Sequence, residues 1–195
     1  MLGLHYITPP EWADRVLAQP AALLLDHLFC ERKAAAMALH TQRVHARRFP
    51  VLNKLMPPLA AEEFEHAEIV ERMLKDYPEA RELQQSKTGG SAYAQGLRKL
   101  TDIRGRDTFI DMLLVCGVIE ARSAERFRLL ADTARGTALG SFYEDLYASE
   151  VNHYLLFSKL ASDFFGTETA EKRLEEIRAE EARLIQSLPP GPRLH

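Results

Sequence analysis

Cysteine is scarce in this chain: 195 residues contain two, Cys30 and Cys116, and no CxxC pair. That excludes a disulfide framework and a rubredoxin-type or zinc-ribbon site, and it suits a reducing compartment. Long apolar runs are missing as well. No stretch of about 18 uncharged apolar residues occurs, and Met1 to Pro10 lacks the charged start and apolar middle of a secretory signal, so a cytoplasmic protein without membrane contact is expected. There is no excess of positive charge. A net charge of −3 and a pI near 6.2 argue against a generally basic nucleic-acid binder and leave only local basic patches to look for. Period-two strand patterns and the zinc-hydrolase signature HExxH are also absent.

What remains is helical. With 46% hydrophobic residues the chain can build one domain, 1–195, with a substantial core. Thr8-Pro9-Pro10-Glu11 is a helix start, giving a short helix from Glu11 to Ala18 that Pro20 interrupts. A first long helix runs from Ala21 to about Arg48 and ends at Pro50. The second runs from about Pro58 to Tyr77, with an earlier turn at Val51 to Met56 before a break at Pro57-Pro58. Between Pro78 and Gly105 lies a long connection with a loop signal at Thr88-Gly89-Gly90-Ser91 and a short helix around Tyr93 to Leu100. A third long helix covers Asp107 to Ala134 and a fourth Thr137 to Phe165, stopped by Gly136 and Gly166. A charged helix from Glu168 to Gln186 follows, and Pro189 to Pro192 reads as a disordered or extended tail.

The second and fourth helices repeat each other. Leu52, Leu55, Leu59, Glu63, His66, Val70, Met73 and Tyr77 match Leu139, Phe142, Leu146, Glu150, His153, Phe157, Leu160 and Phe164 at an offset of 87 residues. Steps of three and four make each series one helix stripe, with Glu and His on the apolar, core-facing side. The first and third helices match at an offset of 89, their stripes being Leu24, His27, Leu28, Glu31, Ala35, Ala38 and Phe109, Leu113, Cys116, Glu120, Ala124, Phe127, Ala131. Two helical hairpins of similar plan follow, an internal pseudo-repeat joined by the long crossover.

Four glutamates on core stripes demand neutralisation, because an unpaired buried carboxylate costs many kcal/mol. Two divalent cations balance Glu31, Glu63, Glu120 and Glu150. A Glu from each of two helices plus Glu-x-x-His from each of the other two is the ligand set of ferritin-like carboxylate sites, and its oxygen-rich donors with one imidazole per metal suit iron or manganese. The sequence supplies all six: Glu31, Glu63, His66, Glu120, Glu150 and His153, with Glu63 and Glu150 as bridges and Glu31 and Glu120 as terminal ligands. The expected fold is therefore all-α, a ferritin-like four-helix bundle over about 21–166, with a long crossover and additional short N-terminal and C-terminal helices.

Blander readings attach to neighbouring residues. One Glu-x-x-His is commonplace, and the weight falls on the two copies in register. Glu62, Glu65 and Glu68 read as surface or supporting charge, His27 as a satisfied core or boundary histidine placed one turn before Glu31 where it could also touch the cavity, and Cys30 and Cys116 as small buried residues. Phe127, Phe142, Phe157 and Phe164 read as core.

Four stretches carry a family likeness: Cys30-Glu31-Arg32-Lys33-Ala34-Ala35, Glu62-Glu63-Phe64-Glu65-His66-Ala67-Glu68, Ile119-Glu120-Ala121-Arg122-Ser123-Ala124-Glu125-Arg126-Phe127 and Ser149-Glu150-Val151-Asn152-His153-Tyr154. Together they resemble the bacterial tRNA hydroxylases of the ferritin-like superfamily, which act on 2-methylthio-N6-isopentenyladenosine. The resemblance spans nearly the whole chain. It implies hydroxylation of the isopentenyl side chain next to the anticodon, with two iron ions, dioxygen as co-substrate, and electrons from a separate reductase or ferredoxin.

Contact with tRNA leaves a fainter trace. From Lys87 to Arg106 the basic residues Lys87, Arg98, Lys99, Arg104 and Arg106 face only Asp102, and Arg43, Arg47 and Arg48 with His45 add a second cluster. These are the candidate contacts to anticodon-loop phosphates. The alternative functions are a ferritin-like iron-storage or peroxide-scavenging protein and a metal-free helical interaction protein. Assembly into a cage would favour the first, and purification without metal the second.

Overall fold

The computed structural model describes residues 2–86, 91–101, 107–189 and 191–194, and all the regular structure among them is helical. Eight α-helices occur in the order α1 (Glu11–Leu17), α2 (Pro20–His45), α3 (Leu52–Met73), α4 (Ala80–Ser86), α5 (Ala92–Arg98), α6 (Thr108–Thr133), α7 (Ala138–Phe165) and α8 (Thr167–Ser187). Short 3-10 turns, Leu74–Asp76 and Lys99–Thr101, extend α3 and α5. The chain falls into two compact units. One holds the residues up to Arg15 with α5 to α8, and the other runs from Val16 through α2, α3 and α4 and includes Pro192–Leu194.

In the second unit α2 and α3 form a helical hairpin. Pro20 starts α2 at a position where its missing N–H costs nothing. The stripe foreseen for this helix, Leu24, His27, Leu28, Glu31, Ala35 and Ala38, is buried throughout. On α3 the buried positions are Leu52, Met56, Leu59, Ala60, Glu63, His66, Ala67 and Val70, while Leu55 is half-buried. One boundary differs from expectation. Pro57 and Pro58 do not break the segment, which is helical from Leu52 onward. The two prolines remove the donors that would have bonded the carbonyls of Asn53 and Lys54, and both of those residues are exposed, so solvent serves their carbonyls. The C-terminal end also departs from a loose tail. Leu194 is buried and its N–H donates to Asp26 Oδ2 at 2.9 Å.

In the other unit α6 and α7 form the second hairpin. Asp107 caps α6 by accepting from the Phe109 N–H at 3.1 Å, and Thr137 caps α7 by accepting from the Gly140 N–H at 3.1 Å. Gly140 has no alternative here, since a Cβ would sit 2.2 Å from the Ala134 carbonyl oxygen. Gly166, at φ +87°, stops α7 and admits the turn into α8. The C-terminal helix lies within one residue of its expected bounds at each end: α8 has 21 residues, and it packs with α6 and α7. It is also less solvated than its charge implied, burying Ala170, Arg173, Leu174, Ile177, Glu181, Ala182 and Ile185. Covered on two sides, α6 buries residues around most of its circumference, including Glu120 and Arg122. The crossover carries α4 as well as the foreseen α5, and Lys87, Gly89, Gly90, Arg104 and Arg106 lie outside the described residues.

Candidate metal centre

In the α2–α3 hairpin the chemistry concentrates on one short patch. Glu31, Glu63 and His66 retain 4%, 1% and 6% of their exposure, and one ligand atom from each lies within 4.8 Å of the others. His66 Nδ1 stands 3.6 Å from Glu31 Oε2 and 3.6 Å from Glu63 Oε2. The other oxygen of Glu31, Oε1, is hydrogen-bonded to Nε2 of the fully buried His27. An ionised carboxylate only accepts, so the imidazole nitrogen is the donor.

The electrostatics of this patch follow from that crowding. Burial on its own would raise the Glu31 carboxyl, but the charge and hydrogen bond of His27, with contacts to His66 and Glu63, hold it well below the usual carboxylate range. Burial would lower His66, yet the nearby Glu31 and Glu63 carboxylates raise it to about 10. Protein groups alone thus hold this patch together by keeping a proton on His66. A divalent cation takes the same role with more charge, and two carboxylates with an imidazole form a donor set that suits iron or manganese.

The α6–α7 hairpin supplies the repeated half. Glu120, Glu150 and His153 are all buried, at 7%, 2% and 3% exposure. Glu150 and His153 are one turn apart on α7, and a ligand atom of Glu120 lies within 4.8 Å of one from His153. One turn before Glu120, the Cys116 thiol is pushed up to about 12 by burial and by the Glu120 charge, so it is neutral in the metal-free chain. All six expected ligands are therefore buried polar residues on the inward stripes. Glu62 is half-buried, and Glu65 and Glu68 are exposed, as read from the sequence.

Two features add to the sequence reading. His27 is the buried, hydrogen-bonded histidine expected on the Glu31 stripe, and its bond is to a candidate ligand. The signal was its place on the Glu31 stripe, four residues earlier. The second is a buried cluster around Arg122, whose Nε and Nη2 donate to the two oxygens of Glu181 at 2.9 and 3.0 Å. Tyr93 Oη donates to the same carboxylate at 3.0 Å. Helical spacing does mark Glu181, which falls on the Leu174, Ile177 and Ile185 stripe of α8, but no sequence pattern names Arg122 and Tyr93 as its partners.

Of the basic candidates, Arg43, Arg47, Arg48, Arg98 and Lys99 are exposed, and Lys87, Arg104 and Arg106 lie outside the described residues. The Arg48 guanidinium rests 4.8 Å from the Phe49 ring centre. An open groove of about 850 Å³ beside the end of α3 is lined by Leu25, Leu28, Leu74 and Tyr77 among charged residues, and none of Glu31, Glu63 or His66 lines it. No helix among the described residues is long and apolar enough to cross a membrane.

Comparisons with known proteins bear on the family and the fold. A family model described as tRNA-(MS[2]IO[6]A)-hydroxylase (MiaE) matches residues 2–195. A protein of Pseudomonas putida named tRNA 2-(methylsulfanyl)-N(6)-isopentenyladenosine(37) hydroxylase is 37% identical over 180 residues, covering 92% of this chain and 85% of the relative. The Salmonella typhimurium protein of the same name is 28% identical over 228 residues, covering 94% and 84%. Among solved structures, a Synechococcus protein with aldehyde deformylating oxygenase activity superposes with a TM-score of 0.83 at 31% identity, over 98% of this chain and 94% of that one. The fold is thus the all-α, ferritin-like bundle expected from the paired stripes.

Proposed function

The chain belongs to the tRNA-(MS[2]IO[6]A)-hydroxylase family, and from that premise we propose that it hydroxylates the isopentenyl side chain of 2-methylthio-N6-isopentenyladenosine beside the anticodon of tRNA. Both units act as one catalytic domain. Two iron ions are held by Glu31, Glu63, His66, Glu120, Glu150 and His153, with dioxygen as co-substrate and electrons from a separate reductase or ferredoxin. The observation that carries this reading is the buried set Glu31, Glu63 and His66, whose ligand atoms lie within 4.8 Å of one another.

When bound, the iron pair supplies activation of dioxygen for insertion of oxygen into a C–H bond. The residues of the chain do the rest. Four glutamates offset the charge of two divalent ions, so the centre is close to neutral and stable away from water. Burial keeps water out, and His66 releases its proton as the imidazole becomes a ligand. Docking of tRNA is assigned to Arg43, Arg47 and Arg48, with Lys87, Arg98, Lys99, Arg104 and Arg106 of the crossover. From Arg32 to Ala61 the chain has six Lys and Arg residues and no Asp or Glu, in a protein of net charge −3, which supports a phosphate-binding face at this end of α2.

Nucleoside mass analysis tests the reaction directly. tRNA carrying the isopentenyl modification, incubated with the iron-loaded chain, a reductant and oxygen, should gain one oxygen atom on the modified adenosine. Iron analysis should return about two ions per chain, and Glu63→Ala or His153→Ala should lower that content. Bound iron without oxygen transfer rejects the substrate. Unchanged iron in both variants rejects the ligand set.

A further inference from the structure

The pseudo-repeat makes Glu31 and Glu120 equivalent at an offset of 89 residues, and it also aligns the residues one turn earlier, His27 on α2 and Cys116 on α6. Those two are chemically unlike. His27 is completely buried and its Nε2 hydrogen-bonds Glu31 Oε1, which leaves Oε2 as the oxygen beside His66, at 3.6 Å from Nδ1. Glu31 therefore has one oxygen committed to the protein and the other presented to its neighbours. Cys116 is buried at the matching place, but a thiol is a far weaker donor than an imidazole N–H.

A ligand whose rotation is already fixed loses less freedom when a metal binds, and supporting hydrogen bonds of this kind raise metal affinity by roughly 10- to 100-fold. We propose that His27 is a positioning residue that holds Glu31 with Oε2 presented for a metal and so tightens the ion held through Glu31. This rests on the metal centre proposed above. His27 stands outside the six-residue ligand set.

Titration of the metal-free, full-length chain with Co(II), followed by visible absorption and by competition with a chelator, reads both positions. The wild-type chain should show a tight and a weaker class. His27→Phe should weaken the tight class by about 10- to 100-fold and change its absorption bands, while the weaker class stays as it was. His27→Gln, whose amide can still donate, should recover part of the loss, which a space-filling role would not produce. Should His27→Phe fail to fold by circular dichroism, His27→Met takes its place as a variant without an N–H. A tight class unchanged in the folded non-donor variant overturns the proposal, as does His27→Gln no better than that variant. No Co(II) binding by the wild-type chain overturns the metal centre itself, whereas wild-type binding with unaffected variants overturns the role of His27 alone.

Discussion

Around Arg122 and around Glu31 the chain buries ionised side chains to a similar depth, but it surrounds them differently. Arg122 and Glu181 are both at 0% exposure and meet through two parallel N–H···O bonds. The remaining guanidinium donors reach Glu125 at 2.6 Å, Thr8 at 3.2 Å and the Tyr6 carbonyl at 2.9 Å. Burial would lower the Arg122 pKa, yet hydrogen bonds and charge from Glu181 raise it, so the charge is locked in place. The Glu31 patch sets two carboxylates beside imidazoles instead of a guanidinium fork. Its net charge depends on a proton at His66, raised to about 10. An arginine cluster of this kind fixes structure permanently, whereas a carboxylate and imidazole cluster stays open to exchange a proton for a metal.

Removal of the arginine should cost the fold most. Arg122→Met strands the Glu181 carboxylate, and loss of one partner from a buried pair costs about 3–5 kcal/mol. Denaturant unfolding should show that loss, and the double variant Arg122→Met with Glu181→Leu should recover much of it. An Arg122→Met chain as stable as wild type would show that the cluster is not the structural anchor described here. The contrasting change is Glu63→Gln. It should abolish most metal uptake by elemental analysis while shifting the stability of the metal-free chain by only about 1 kcal/mol, since an isosteric amide keeps the packing.

Legibility in the sequence divides along the same line. The burial of the six candidate ligands was readable because helix periodicity and the two offsets place these residues on inward stripes, where a carboxylate has few chemical explanations. The Arg122 cluster was legible only by half: steps of three and four put Glu181 on the Leu174, Ile177 and Ile185 stripe of α8, but its partner Arg122 on α6 is set by tertiary packing. The continuous start of α3 was hidden by Pro57-Pro58, whose local rule yields when the freed carbonyls face solvent. His27 stood on the right stripe, but direction and partner are tertiary facts.

A smaller effect should separate the clusters by pH. His66 has a folded pKa raised above its unfolded value of about 6.5, so its contribution to stability is complete below 6.5 and is lost as pH rises toward 10. Arg122 is raised and Tyr93 is raised well above 10, so these two groups are silent in that window, and Arg126, lowered by burial to about 10, begins to titrate only at its upper edge. The thermal midpoint of the metal-free chain should therefore fall between pH 7 and pH 10, and His66→Gln should flatten the slope. Iron loading should flatten it too, because the imidazole then holds a metal instead of a proton. A slope that persists in His66→Gln would assign the pH response elsewhere.

The smallest effect on the fold, and the one that probes neither buried cluster, comes from the exposed arginines of α2 and its following turn. Arg43 and Arg47 are exposed, and their replacement by alanine should change unfolding free energy by no more than about 0.5 kcal/mol. Metal content should not move. On tRNA the same variants should act through phosphate neutralisation, weakening affinity across sequences and reducing the slope of log affinity against log salt by roughly 1 for each contact removed. Filter binding over a salt series measures both quantities. Charge that serves docking is thus separable from charge that serves structure or metal by where it registers: in the salt slope alone, with stability and metal content constant. An unchanged salt slope in Arg43→Ala and Arg47→Ala would move the RNA face away from this end of α2 and onto the crossover basic residues, of which Arg98 and Lys99 are exposed.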